Sequence, residues 1–292
     1  MTLSDECKFW LLFFIAGASL VFWEMRHASP IVNFRRQCER NFAFCALNIF
    51  LAYAVLYGTS TLLPALLESL FGYDAFHAGL VLSPSGVSAI LALIVVGALL
   101  GRRVDARWLI AAGLLILAAG NFWMSQLNLD ISPWQAVWPR VVMIAGLGMI
   151  FAPLNVAAYL YIPRILRGAA VGLFALLRNE GGSFGTSMGQ TIVERREIFH
   201  ALRLNENLDP LNPAVNSYIA QTQPEFLQQT GDHAAAQQMA WQSLENLREQ
   251  QASALAYFDA FLIFAVVAVV LAFLALLMKR SVAEKGAHLA AE

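Results

Sequence analysis

Lysine is almost missing from this 292-residue chain: Lys8, Lys279 and Lys285 are all there is, and each stands at the end of an apolar run. Without a lysine at mid-membrane depth there is no amine for a Schiff base to retinal. Histidine is hardly commoner. His27, His77, His200, His233 and His288 fall between or beyond the apolar runs, so a nucleophile within the membrane has no base in reach and an intramembrane hydrolase is disfavoured. No glycine-rich phosphate loop carrying Lys and Ser or Thr occurs, which removes nucleotide binding. Charged residues make up 13% and the net charge is -1, so nothing suggests a nucleic-acid partner. No enzyme active site and no cofactor are implied.

What the chain has instead is apolar length, with 59% hydrophobic residues and a mean hydropathy of +0.59. Seven runs, at about 8–24, 42–67, 79–100, 108–127, 135–161, 168–191 and 255–278, each come near the ~20 residues that a bilayer helix needs. The first is the shortest. It is apolar like a signal peptide, but Glu24, Met25 and Arg26 make no small-residue cleavage site, so it reads as a retained span. The pattern predicts an all-α integral membrane protein with seven transmembrane helices.

Basic residues crowd every second connection. Arg26, Arg35, Arg36 and Arg40 follow the first run, Arg102, Arg103 and Arg107 the third, Arg164 and Arg167 the fifth, and Lys279, Arg280 and Lys285 the seventh. The opposite short segments hold only Lys8, and residues 68–78 and 128–134 hold no Lys or Arg. The positive-inside bias places the arginine-rich face in the cytoplasm, the N-terminus outside and the C-terminus inside. Cys7 then faces outward, Cys38 the cytoplasm, and Cys45 opens the second run, so no disulfide and no metal site is expected. The polar stretch 194–254 also lies outside. It is far longer than ordinary connections, and within it Met239, Trp241, Leu244 and Leu247 recur at roughly helical spacing, predicting a helix that runs on into the seventh span.

Polar groups at depth point to transport. Arg178 and Glu180 lie near the middle of the sixth run, where a buried charge costs at least ~2.5 kcal/mol and must find protein or water. Two positions on a helix are about 200° apart, so the two do not pair on an ideal helix and each needs a partner elsewhere. Glu180 is the candidate proton carrier or substrate counter-charge and Arg178 its tuning cation. A structural polar clamp between helices is the alternative for both. Gly181, Gly182 and Gly185 form a small-residue face for a close helix interface. Asn48, Tyr53 and Tyr57 on the second run, with Met149, Asn155 and Tyr159 on the fifth, suit a cavity for flat hydrophobic molecules. The connection through Gly101, Arg102, Asp105 and Arg107 reads as a cytoplasmic charge latch, or simply as a positive-inside loop.

Five motifs in order carry a resemblance. They are Pro30–Phe34 leading to Arg40-Asn41-Phe42; Gly79 to Gly86; Gly101 with Arg102, Asp105 and Arg107; Trp138-Pro139 with Gly146, Gly148 and Pro153; and Arg178 with Gly181 to Thr186. Over nearly its whole length the chain resembles the C-terminal half of the fourteen-span, EmrB/QacA-type drug:proton antiporters of the major facilitator superfamily. The resemblance implies an extra helix and cytoplasmic linker over residues 1–40, then a six-helix bundle over 41–292 that includes the periplasmic loop 194–254. It implies that the second and fifth spans line the central cavity, that the third and sixth face the other bundle across a moving glycine interface, and that the Asp105 loop is a gate. It further implies proton-coupled export of hydrophobic toxic compounds across the bacterial inner membrane. The implied partners are lipid, an N-terminal transporter half, a periplasmic adaptor (membrane fusion protein) and an outer-membrane channel. Seven spans that the family places first are missing from this sequence, so transport is expected only with a second bundle. A non-transporting seven-span scaffold or sensor, binding a partner through the long external loop, stays open as the second reading.

Overall fold

The computed structural model describes residues 40–128, 133–159, 167–206, 208–209 and 211–278. The first expected span and its linker, Tyr161, Arg164 and the basic C-terminal tail lie outside the described residues. Eight helices and no strand occur among the described residues: α1 (Arg40–Phe71), α2 (Ala75–Leu82), α3 (Pro84–Gly101), α4 (Ala106–Ser125), α5 (Pro133–Tyr159), α6 (Arg167–Asn205), α7 (Pro213–Thr230) and α8 (His233–Leu276).

Five of these, α1, α3, α4, α5 and α8, are long and apolar enough to cross a membrane. α6 is long enough at 39 residues, but Arg178, Glu180 and its later charges keep it below that apolarity. It needs neighbours to cover it, and it packs along α1 and α8.

The expected third span is two helices. Pro84 has no N–H to return to the Leu80 carbonyl, which instead accepts the Ser83 hydroxyl at 3.0 Å. α2 is capped by Asp74, whose carboxylate accepts the His77 backbone N–H at 2.9 Å and meets the His77 ring at 2.5 Å. Those two His77 bonds, the backbone one first, hold the Asp74 carboxyl below its ordinary value. A depressed carboxylate contributes stability above its unfolded pKa and loses it as pH falls through the folded one. Acidification below the ordinary Asp range is therefore expected to fray the first turn of α2 and leave α3 intact, read as faster amide exchange at His77.

Packing gives a bundle in which α1 touches α6, α8 and α5, α4 lies between α5 and α8, and α3 rests on α5. Ile49, Leu63, Leu114, Phe174, Phe261 and Phe264 are fully buried among them. Backbones come close where glycine allows it. A Cβ on Gly146 would stand 2.6 Å from the Gly113 carbonyl oxygen, and one on Gly148 would stand 2.8 Å from the Ala92 Cβ, locking α5 to α4 and α3. The Ser88 hydroxyl adds a 3.0 Å bond to the Val141 carbonyl across α3 and α5.

The expected external loop is helical. α6 runs on to Asn205, α7 begins at Pro213 behind an Asn212 cap and stops at Gly231 with φ 67°, and α8 continues unbroken for 44 residues. At 1.5 Å per residue α8 is about 66 Å long, roughly twice the hydrocarbon thickness, so its first half stands clear of the membrane. Val215 and Ile219 of α7 bury against Ala240 and Leu244 of α8. The helix over 234–248 is as expected but its inner face is not. Ala236, Ala240 and Leu244 are buried, whereas Met239 and Leu247 are exposed. Asp259 ties α8 to the extension of α6, accepting Arg196 Nε at 2.7 Å and lying 2.6 Å from His200 Nε2.

Candidate functional site

Arg178 joins three helices. From α6 its Nη2 donates to Asn155 Oδ1 on α5 at 2.7 Å, and its guanidinium lies 5.0 Å from the Phe151 ring centroid on α5 and 5.6 Å from that of Tyr53 on α1. Asn155 is aimed by its own amide, which donates to the Phe151 carbonyl at 2.9 Å. Tyr57 stacks on Tyr53 at 6.2 Å and covers Gly182, whose added Cβ would stand 3.1 Å from the Tyr57 ring. The cleft among Ile49, Tyr53, Phe151, Asn155 and Arg178 holds only about 10 Å³, room for about one water. Arg178 Nε is buried there without a hydrogen-bond partner among the described residues. An organic molecule therefore has to meet this cluster from the open side of α1 and α5.

The other expected cavity residues separate. Asn48 is buried, its amide donates to its own Phe44 carbonyl at 2.9 Å, and it does not line the Arg178 cleft. Met149 points to the opposite side of α5, its Cβ 3.0 Å from the place a Cβ on Gly113 would take. Tyr159 ends α5, and its side chain lies outside the described residues.

Glu180 is exposed and makes no hydrogen bond or ion pair among the described residues, so it and Arg178 do not pair. Arg178 has the interhelical partner that its position demands, and Glu180 faces out of the bundle.

The glycine face also turns a different way. Added Cβ atoms on Gly181 and Gly185 would overlap the Phe50 and Ala54 carbonyl oxygens of α1, and one on Gly58 would sit 2.8 Å from the Gly185 oxygen. The interface these glycines make is thus inside one bundle, between α6 and α1. They are not the surface offered to a second bundle, because the backbone of α1 already fills the space a side chain would take.

At the turn between α3 and α4, Asp105 caps α4 by accepting the Arg107 N–H at 3.3 Å and pairs with Arg107 Nε at 2.9 Å. Arg107 Nη1 reaches the Met278 carbonyl beyond α8 at 3.4 Å. Arg102 is exposed. Gly101 is still helical, and the left-handed residue is Arg103, φ 63°.

One residue was not foreseen. Arg140 of α5 is 8% exposed, donates from Nη2 to Ser60 Oγ on α1 at 3.1 Å, and leaves Nε and Nη1 without partners among the described residues. The signal for it was an arginine just inside the start of an apolar run, at the end of the bundle that is otherwise poor in basic residues.

Packed apolar helices broken by proline, with arginines joined to polar side chains across them, define a multi-pass membrane protein of helical-bundle type. Residues 8–186 match the family model described as Major Facilitator Superfamily, and the chain belongs to that superfamily. It is 30% identical over 236 residues to the multidrug export protein EmrB of Escherichia coli K12, covering 79% of this chain and 45% of that protein. It is likewise 30% identical over 200 residues to the fatty acid resistance protein FarB of Neisseria gonorrhoeae, covering 68% and 39%. With the colistin resistance protein EmrB of Acinetobacter baumannii it shares 22% over 251 residues, covering 86% and 48%. The chain thus spans less than half the length of these curated relatives.

Proposed function

We propose that this chain forms the C-terminal bundle of a proton-coupled exporter of hydrophobic toxic compounds in the bacterial inner membrane, working with an N-terminal bundle. The observation that carries the reading is the Arg178 cluster, a cation held by two aromatics and an amide on three helices. Its cleft is too small to enclose a substrate alone, as expected where a second bundle completes the site. The relatives' names and their greater length support it. In this reading residues 1–40 are an accessory helix and linker, and 41–292 the bundle. The N-terminus and the α7–α8 unit are periplasmic, the C-terminus is cytoplasmic, and α7–α8 is the surface offered to a periplasmic adaptor and through it to an outer-membrane channel. The Asp105–Arg107 turn, tied to Met278, is the cytoplasmic latch.

Glu180 carries the proton. A carboxylate on an outward face of α6 near mid-membrane depth is costly to leave uncovered, so in the assembled exporter it meets the second bundle. Co-expression with a complete N-terminal half is expected to lower accumulation of a hydrophobic dye, and Glu180→Gln to abolish that difference while leaving dye binding intact. Equal accumulation with and without the pair refutes the reading.

A further inference from the structure

Asp259 has one oxygen to spare. Arg196 Nε at 2.7 Å and His200 Nε2 at 2.6 Å both meet its Oδ2, and Oδ1 has no hydrogen-bond partner among the described residues. The same residue lines a cavity of about 420 Å³ between the last turn of α4 and α8, within the size range of small-molecule sites. Ser125, Gln126 and Gln251 bring further acceptors, and Asp259 is the one charged residue in the wall, since its counter-charge Arg196 does not line the cavity. The Ser125 hydroxyl gives its proton to the Phe122 carbonyl at 2.7 Å, so toward a ligand it accepts. The end of α4 adds the negative pole of a helix dipole. Such a wall suits a cation that only donates.

The cavity lies at head-group level. Between the Asp105 cap and Ser125, the 20 residues of α4 rise about 30 Å, the hydrocarbon thickness of a bilayer. On α8, Asp259 precedes Leu276 by 17 positions, about 26 Å. Trp123 is exposed at the same end of α4, where an indole suits a membrane interface. From the cavity toward the end of α8, Leu262, Val266, Val270 and Phe273 are exposed at intervals of four, four and three and make one apolar stripe. Leu262 belongs to both, standing in the cavity wall with Leu255 and Phe258. That continuity fits a ligand with a cationic head and an apolar tail, and a free polar cation would leave the stripe unused.

We propose that this cavity seats the head group of a membrane phospholipid with a primary ammonium, phosphatidylethanolamine, with the ammonium on Asp259 Oδ1 and Ser125 Oγ and an acyl chain along the α8 stripe. A primary ammonium has three N–H donors for these acceptors and a choline head has none. The side-chain amide N–H groups of Gln126, Asn128 and Gln251 are left for the phosphate oxygens. The lipid is a resident of the bundle and not a molecule it moves, so the inference stands apart from the export reading. Once seated, it gives the carboxylate that ties α8 to α6 a contact on its second oxygen.

The test titrates the purified full chain in detergent with dioleoyl lipids at pH 7.5 and counts bound lipid by native mass spectrometry. One phosphatidylethanolamine per chain is expected at an affinity about tenfold or more above that of phosphatidylcholine. The N-monomethyl and N,N-dimethyl lipids should fall in order between them, following the N–H groups left on the ammonium. Asp259→Asn is expected to bring all four to one affinity. Gln251→Trp, which fills the cavity and leaves Asp259 with Arg196 and His200, should do the same, and it decides the matter if Asp259→Asn does not fold. Arg196→Gln breaks the same ion pair but keeps the carboxylate, so the preference should stay or grow. Its loss in Arg196→Gln overturns the inference, because the clamp and not the spare oxygen is then what binding needs. Equal binding of the four lipids by the wild-type chain, or a preference that survives Asp259→Asn or Gln251→Trp, overturns it as well. Displacement of the lipid by glycerophosphoethanolamine at about hundredfold excess also overturns it and leaves the cavity to a free amine.

Discussion

Gly185→Leu is expected to drive α6 off α1 and lower the melting temperature of the purified chain more than any other single change on that helix. The space a side chain needs at Gly185 is occupied by the Ala54 carbonyl oxygen, and the Gly185 oxygen in turn fills the space beside Gly58. Backbone cannot rotate away as a side chain can, so the two helices must separate along their length. Overpacking a well-packed contact costs typically 1–3 kcal/mol, and about 3 kcal/mol or more is expected here because no flexible group can yield. Gly172→Leu supplies the contrast. It lies on the same helix, is exposed and has nothing within 4 Å of an added Cβ, so its melting temperature should stay within about a degree or rise slightly as helix propensity improves. Equal destabilisation by the two substitutions would show that α1 and α6 are not in backbone contact.

Arg178→Ala is expected to remove most hydrophobic-compound export, at least tenfold in initial rate, in cells that also carry an N-terminal half. The substitution deletes a hydrogen bond from a charged donor, worth roughly 1.5–3 kcal/mol, and the two ring contacts, worth about 0.5–1 kcal/mol each or more where water is excluded. It also leaves Asn155, Tyr53 and Phe151 with no common partner. Arg178→Lys should recover little, because an ammonium cannot lie flat between two rings and donate in their plane to an amide. Full activity in the lysine variant would show that only the charge matters at this position.

These two residues also show what could be read from the chain without coordinates. A cation at the centre of an apolar run has few ways to exist, so a partner on another helix was required for Arg178, and Asn155 already stood out as an amide in the fifth run. The glycines were legible as a close interface but not as an interface with a particular helix, since three small residues say nothing of which backbone approaches them. The second bundle was the expected neighbour and α1 is the real one. The stretch 194–254 looked like a loop because its buried positions are few: Ala240 and Leu244 carry the contact with Val215 and Ile219, and alanine hardly registers as an apolar signal. Asn48 and Met149 were placed in the cavity by residue type alone, and rotation of the helix about its axis sends them elsewhere. Arg140 escaped because it follows Trp138 and Pro139, which were read only as part of the motif that carries the resemblance.

α8 leaves one more consequence. It is a single unbroken helix, held by α7 at one end and by Asp259 partway along, and the Met278 carbonyl just past its last turn is the acceptor for Arg107. With no proline or glycine between His233 and Leu276 it has no hinge at which a tilt can be absorbed. A load placed on α7 and the first half of α8 is therefore expected to reach the Arg107–Met278 contact at the other end as leverage, the rod acting as a pushrod.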